Sequence, residues 1–268
     1  MAYERIDGLP EAEYHAIKAL GSSAIKNMAV SPAYFQQQQA EGSETKDALL
    51  IGSMFHQRIL EPDRDEFIAA PEVDRRTKEG KAAYAEFLEN CEGKSVLKKA
   101  DFDNVLAMVK KFRSTDAYLN MMNGEVSTEV SIIGPEKKAR FDLLKKHPKG
   151  FYIAYDLKTT SKGFPQTERD WQRWFINYGY YMQAAWYIHV AGLAGIKVAA
   201  FNFVAISTKA PYEHAVVKVD ADFLHAGTEK ALAAFDLYKK CCLESSWPGT
   251  FEMQGKSVIE ISMPKWGV

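Results

Sequence analysis

The apolar positions of the chain change period near residue 125. Before it they recur at helical spacing. DALLIGSMFHQRIL, residues 47–60, predicts a helix with Leu49, Met54 or Phe55, and Ile59 facing a core. Glu61-Pro62 ends it, because proline cannot continue a helix and restricts its predecessor. Residues 63–80 are polar and read as a loop, and 79–91 and 100–122 as two amphipathic helices. Further upstream, LGSSAIKNMAVSPAYF predicts a short helix capped by Ser22 or Ser23, with Pro32 opening another turn. FQQQQAEGSETKD, Phe35 to Asp47, reads as a loop or frayed helix end.

After residue 125 the period becomes two. EVSTEVSII (125–133), ARFDLL (139–144) and FYIAYDLKTT (151–160) predict three strands, joined by the turns GPEKK and HPKG. An aromatic-rich helix is predicted over about 168–191, then strands at 198–207 and 214–220 and a helix over 221–243. The tail holds Trp247-Pro248-Gly249 and ISMPKW. This order predicts an α+β or α/β core with an α-helical N-terminal extension. One domain is expected over 1–268: a mainly helical part (1–122), a sheet-bearing part (123–245) and a tail (246–268).

Composition narrows this little. With 268 residues, 47% hydrophobic and 26% charged, the chain can bury one sizeable core. A net charge of −1 means that a nucleic-acid binder of this sequence must gather its cations on one surface. Local groups exist, such as Arg75, Arg76 and Lys78, or Lys137, Lys138 and Arg140; each alone reads as a solvated face. Cys91, Cys241 and Cys242 have no metal-framework spacing and suit a reducing cytoplasm. No signal peptide, apolar anchor or run of ~20 apolar residues is visible, so a soluble cytoplasmic protein away from membranes is expected. No Gly-rich phosphate loop suggests an ATP-driven motor.

Candidate chemistry lies on the strands. Asp156 and Lys158 are two apart and share a face, while Leu157 turns into packing and leaves its carbonyl between them. Hard divalent cations take carboxylate, carbonyl and water oxygens. Asp156, the Leu157 carbonyl and a carboxylate of a neighbouring strand would form an open site, with Lys158 placed to hold or deprotonate a water. If Gly134–Lys137 forms a four-residue turn, Ile133 pairs with Lys138 and Glu129 faces Asp142. Facing acids repel unless a cation separates them or one is protonated. A register shifted by one would part them, and the sequence leaves the register open. The plainer reading is of acids and a lysine at a sheet edge facing water.

The strand "FD", a gap of about a dozen residues and then "DLK" resemble the PD-(D/E)xK nuclease superfamily, which implies an α+β fold with its restriction-endonuclease-like, α/β/α-like core, a central mixed sheet flanked by helices. Asp142 and Asp156 match its acids and Lys158 its lysine. GSMFHQRILEP (52–62) resembles the Gly-x-x-x-His helix of the RecB-like branch, with His56 as the metal-proximal histidine. GYYMQAAWY (179–187) resembles its Gln-x-x-x-Tyr helix, with Gln183 and Tyr187 four apart on one face. With SPAYF, AAPEVDRRTKEGKAAYAEF, EVSI and WPGTFE…ISMPKW, most of the chain resembles phage and prophage exonucleases of the exonuclease VIII (RecE) type. Where that family often has Gly before its first-acid strand, this chain has Lys138-Ala139-Arg140, and 161–170 has no counterpart.

The resemblance implies 5′→3′ digestion of linear double-stranded DNA with Mg²⁺ or Mn²⁺, leaving a 3′ single strand. It also implies a ring-shaped homo-oligomer, a single-strand annealing partner of the RecT/Beta type, and recombination in a bacterial host. Glu129, Asp142, Asp156, the Leu157 carbonyl and His56 would hold the metal, and Lys158 would position the water. Taken alone, His56 beside Phe55 and Ile59 also fits a core histidine. Gln183 and Tyr187 could reach a phosphate or a ligating carboxylate, while most rings of their helix read as core. Arg75, Arg76 and Lys78 would contact the DNA backbone or a terminal 5′-phosphate, or simply face water. An endonuclease, a single-strand or junction nuclease, and a non-catalytic DNA-binding module remain the rival readings.

Overall fold

The three strands predicted after residue 125 form the middle of a six-stranded sheet in the computed structural model, which describes residues 2–41, 47–255 and 258–263. The end of the glutamine-rich stretch (42–46) and Pro264, Lys265 and Trp266 of the tail lie outside the described residues. The N-terminal part comprises β1 (Glu4–Asp7), α1 (Glu11–Ala16), α2 (Ser22–Val30), α3 (Pro32–Glu41), α4 (Asp47–Leu60), β2 (Phe67–Ala69), α5 (Lys78–Glu89), β3 (Ser95–Leu97), α6 (Lys99–Arg113) and α7 (Asp116–Met122). The rest comprises β4 (Val126–Ile133), β5 (Lys138–Lys146), β6 (Tyr152–Thr160), α8 (Glu168–Asn177), α9 (Tyr180–Leu193), β7 (Val198–Ser207), β8 (His214–Lys218), α10 (Ala221–Glu244) and α11 (Thr250–Met253).

The sheet order is β1-β4-β5-β6-β7-β8. Its neighbours are antiparallel except β6 and β7, which are parallel and joined through α8 and α9. A parallel pair needs such a crossover, and the helices it supplies cover one face. On that face Ile132, Phe141, Ala154 and Phe203 pack with Ile25 of α2, Trp186 of α9 and Phe235 of α10. On the other, Leu143, Leu157 and Ile206 pack with Phe55 of α4 and Met108 and Phe112 of α6. The predicted α+β architecture, a mixed sheet between helical layers, is therefore observed.

The departures have local causes. Ser22 and Ser23 do not cap α2: the N-cap is Gly21, no side chain caps there, and both serines lie inside the helix. Leu49 is 53% exposed, whereas Met54, Phe55 and Ile59 are buried as expected. The predicted loop over 63–80 contains β2, a short strand that pairs with the equally unpredicted β3. The helix expected over 100–122 breaks where the Thr115 side chain accepts the Tyr118 N–H and starts α7. The helix expected over 168–191 breaks at Gly179, whose φ of 62° is left-handed and ends α8. β1, unforeseen, pairs with β4 from Glu4↔Ile133 to Asp7↔Val130.

Candidate functional site

The hairpin register settles where the acids stand. Gly134 N–H donates to the Lys137 carbonyl at 2.9 Å, and Ile133 pairs with Lys138, the four-residue turn that the sequence allowed. The ladder holds Thr128 to Leu143 and Val130 to Phe141, so Glu129 stands opposite Asp142. Glu129 itself has a φ of 51°, uncommon for a residue with a side chain, and makes no ladder pair. β5 and β6 are paired from Lys146↔Tyr152 to Leu143↔Tyr155 and stop there; one more step would set Asp142 against Asp156. Glu129, Asp142 and Asp156 thus form a row across three adjacent strands, at the point where β5 and β6 part.

Side chains take over where the ladder ends. Asp142 Oδ2 accepts the Leu157 N–H at 2.7 Å. Asp156 is 2% exposed. Its carboxylate pairs with Lys158 through Oδ1 and accepts from Gln183 Nε2 at 2.6 Å through Oδ2. Burying a charge is costly unless it is paired and hydrogen-bonded, and here it is both. Burial pulls Lys158 down, but Asp156 and Asp142 outweigh it and hold the ammonium above its ordinary range. In this state Lys158 is a cation that can orient a water, not a base.

His56 comes from α4. Gly52, one turn earlier, lets that helix approach β6: an added Cβ would lie 3.2 Å from Thr159 Oγ1. Its Nε2 lies 2.9 Å from the Leu157 carbonyl, and its Nδ1 3.4 Å from Asp142 Oδ2. Burial first, and then Lys158, depress its pKa, so the ring is neutral, donating from Nε2 to the carbonyl. Burial and the Asp156 charge push Asp142 up to about 8. Burial and Asp142 push Glu129 up to about 7 against the pull of Arg140, whose Nε donates to Glu129 Oε2 at 2.6 Å. The expected repulsion of facing acids is therefore present.

A cleft of about 1070 Å³ opens onto His56, Glu129, Asp142 and Tyr187. Glu11 and residues 14–20 wall one side, in a segment held by cations of β5. Arg140 donates to the Leu9 carbonyl at 2.5 Å, and Lys138 Nζ to the carbonyls of Tyr14 and Ile17 at 2.7 Å each. The positions where the resembled exonucleases often have Gly thus carry two groups with structural duties. Tyr187 is buried, packs edge-on to Phe141 and bonds Ser22; burial raises its hydroxyl well above the usual range.

The structure gathers Glu129, Asp142, Asp156, Leu157, Lys158, His56, Gln183 and Tyr187. It does not bring Arg75, Arg76 or Lys78 to them: Arg75 lies over the Tyr84 ring at 4.6 Å, Arg76 is a 96% exposed neighbour of Asp74, and Lys78 opens α5. Sequence reasoning missed Lys26 of α2, which burial and the Lys158 charge depress to about 8. It also missed Gln57, buried beside His56 on the cleft wall with no partner for either amide atom among the described residues. The signal for Lys26 was faint: it lies one turn from Ser22, but nothing in the sequence ties α2 to β6.

The donor set fits a hard divalent cation in kind: carboxylate oxygens and a carbonyl oxygen, crowded enough to raise two of the acids. Among the described residues no three His, Cys, Asp or Glu side chains already converge as ligands. Glu129 leans to Arg140 and Asp156 to Lys158, so loading would require these carboxylates to turn from their cations.

Comparisons with known proteins agree with this fold. A solved structure of a candidate exonuclease from Eubacterium rectale superposes with a TM-score of 0.60 at 13% identity, covering 96% of each chain. A second, the protein SSO0001, reaches a TM-score of only 0.28 at 12% identity over 70% of this chain and 86% of its own, and carries no weight. No curated protein matches by sequence. The family described as "PDDEXK-like domain of unknown function (DUF3799)" matches residues 21–254, a span that includes every acid of the row, Lys158, His56 and Gln183. Nucleases of that kind generally use divalent metals. The chain belongs to this PDDEXK-like family, within the PD-(D/E)xK nuclease superfamily.

Proposed function

We propose that the protein is a divalent-metal-dependent 5′→3′ exonuclease of linear double-stranded DNA, leaving 3′ single strands for recombination by annealing. The observation that carries this reading is the row of Glu129, Asp142 and Asp156 across adjacent strands, with Lys158 beside its buried end. Glu129, Asp142, Asp156 and the Leu157 carbonyl would hold Mg²⁺ or Mn²⁺, with His56 orienting the carbonyl through its Nε2–H. Bound there, the ion supplies Lewis-acid stabilisation of the charge that develops on the phosphate and the leaving oxygen.

The protein's own groups do the rest. Gln183 fixes the Asp156 carboxylate. The Lys158 ammonium donates to the attacking water and aligns it with the phosphorus. The wall at Glu11 and residues 14–20 bounds the cleft on one side, which favours a strand end over an uninterrupted duplex. Backbone contacts without base-edge readout make cleavage indifferent to sequence. A ring-shaped homo-oligomer and an annealing partner of the RecT/Beta type belong to the same proposal, by resemblance.

A blunt duplex labelled at its 5′ or 3′ end tests the reading, beside a closed circle. The expected result is metal-dependent release of 5′-end label as mononucleotide with the circle untouched. Nicking of the circle would make the protein an endonuclease. Binding without any cleavage in Mg²⁺ or Mn²⁺ would make it a non-catalytic module.

A further inference from the structure

An aromatic pair ringed by lysines adjoins the acid row but is no part of the cleft wall. Tyr178 and Tyr180 flank Gly179, and their rings stack at 5.5 Å and 14°. The left-handed Gly179 turns the chain so that both rings lie together, and a Cβ there would stand 2.9 Å from Lys26 Cδ. Tyr178 is 41% exposed, a large open surface for a ring so placed.

Three ammonium groups surround the pair. Lys158 lies 5.3 Å from the Tyr180 ring centre and Lys26 5.8 Å from it. Lys162 donates to the Tyr178 hydroxyl at 3.1 Å and lies 5.7 Å from its ring. Lys26 also lies 3.5 Å from the Tyr178 carbonyl, which it reaches as a long hydrogen bond. Lys158 therefore stands between the carboxylate row and the tyrosines. An exposed aromatic face offers stacking to any base, and ammonium groups beside it offer charge to a phosphate. A solvated charged surface would not need a stacked tyrosine pair, and a packing cluster would not leave Tyr178 open among cations.

We propose that Tyr178 and Tyr180, with Lys26 and Lys162, seat a nucleotide of the bound strand beside the scissile phosphodiester: its base stacks on Tyr178 and its phosphate meets the two lysines. This inference rests on the nuclease reading and adds a contact that depends on the presence of a base but not on its identity.

The test uses the full chain and duplexes carrying an abasic tetrahydrofuran residue at the first, second or third position from the end. Affinity is read by fluorescence anisotropy in Ca²⁺, and cleavage as kcat/KM in Mg²⁺. At one position the abasic residue is expected to weaken wild-type binding and kcat/KM about tenfold, the scale of one lost base stack. Tyr178→Ala should show that loss on the intact duplex and no further loss on the abasic one, while Tyr178→Phe behaves as wild type. Lys26→Met should weaken binding and flatten its salt dependence by about one phosphate contact. Wild-type affinity indifferent to the abasic residue at all three positions would overturn the seat, with no variant needed. So would additive losses in Tyr178→Ala. Absence of cleavage with base-dependent affinity intact would overturn the nuclease reading and leave the seat standing.

Discussion

β5 and β6 are one pair of strands with two different halves. From Leu143 to Lys146 they pair residue for residue, and Leu143 and Leu144 pack into opposite cores. One step beyond, at Asp142 and Asp156, the ladder stops, and an aspartate side chain takes the Leu157 N–H that a strand would otherwise satisfy. The difference teaches where chemistry can sit in a sheet. A complete ladder satisfies the backbone and leaves side chains only packing to do. A fork frees room for carboxylates, but each must then be matched by another side chain. The same contrast separates β4 on either side of Glu129, whose left-handed backbone interrupts its pairing with β5.

The largest effect should come from the forked half. Asp156→Asn keeps the shape and the Gln183 contact but loses the charge; duplex digestion should fall by about 10³-fold or more. Its half-buried partner Lys158 then loses its nearest counter-charge and keeps only Asp142, so thermal stability should fall as well, by about 3 kcal/mol. Asp156→Asn combined with Lys158→Met should recover much of that stability and none of the activity. Recovery of activity would show that the fork is structural.

Next in size is the opposite half. Leu143→Ala removes a fully buried side chain and should cost about 2–5 kcal/mol in denaturant unfolding, with cleavage per folded molecule unchanged. A selective loss of kcat would erase the distinction between the halves.

A pH effect follows from the raised acids. Glu129 and Asp142 titrate near 4 in the unfolded chain but at about 7 and about 8 when folded without metal. The folded state thus binds more protons between these values, so the stability these groups contribute is complete below about pH 4 and is lost as pH rises through 7 and 8. The Tm of metal-free protein should decline from pH 5 to 8, and Mn²⁺ should raise it more at pH 8 than at pH 6. A flat metal-free profile would remove the crowding of acids from the account. The smallest effect is expected far from the fork: Arg76→Ala, on an exposed side chain, should change duplex affinity less than about threefold.

Much of the forked half was legible in the sequence because it is local. A period of two fixes which residues of one strand share a face, so Asp156 beside Lys158 follows from counting residues, whereas Glu129 opposite Asp142 needed the turn length and register that only the fold supplies. The residues that complete the site were less legible because they arrive from other layers. Gln183 and His56 were readable only through their helical motifs. Lys26 and Arg140 had no such signal: one sits on a helix whose packing partner the sequence does not name, the other in what reads as a basic surface run. Helix breaks at Thr115 and Gly179 were missed for a related reason. A cap and a left-handed glycine stop a helix without disturbing its apolar period.

The central claim is that the acid row is a divalent-metal site. Calorimetric titration of Mn²⁺ into wild type and into Asp142→Asn, at pH 8 and without DNA, tests it most directly. The account predicts saturable binding with proton release in the wild type and a loss of at least tenfold in affinity in the variant. Equal affinity in both proteins, or no binding in the wild type, would contradict it.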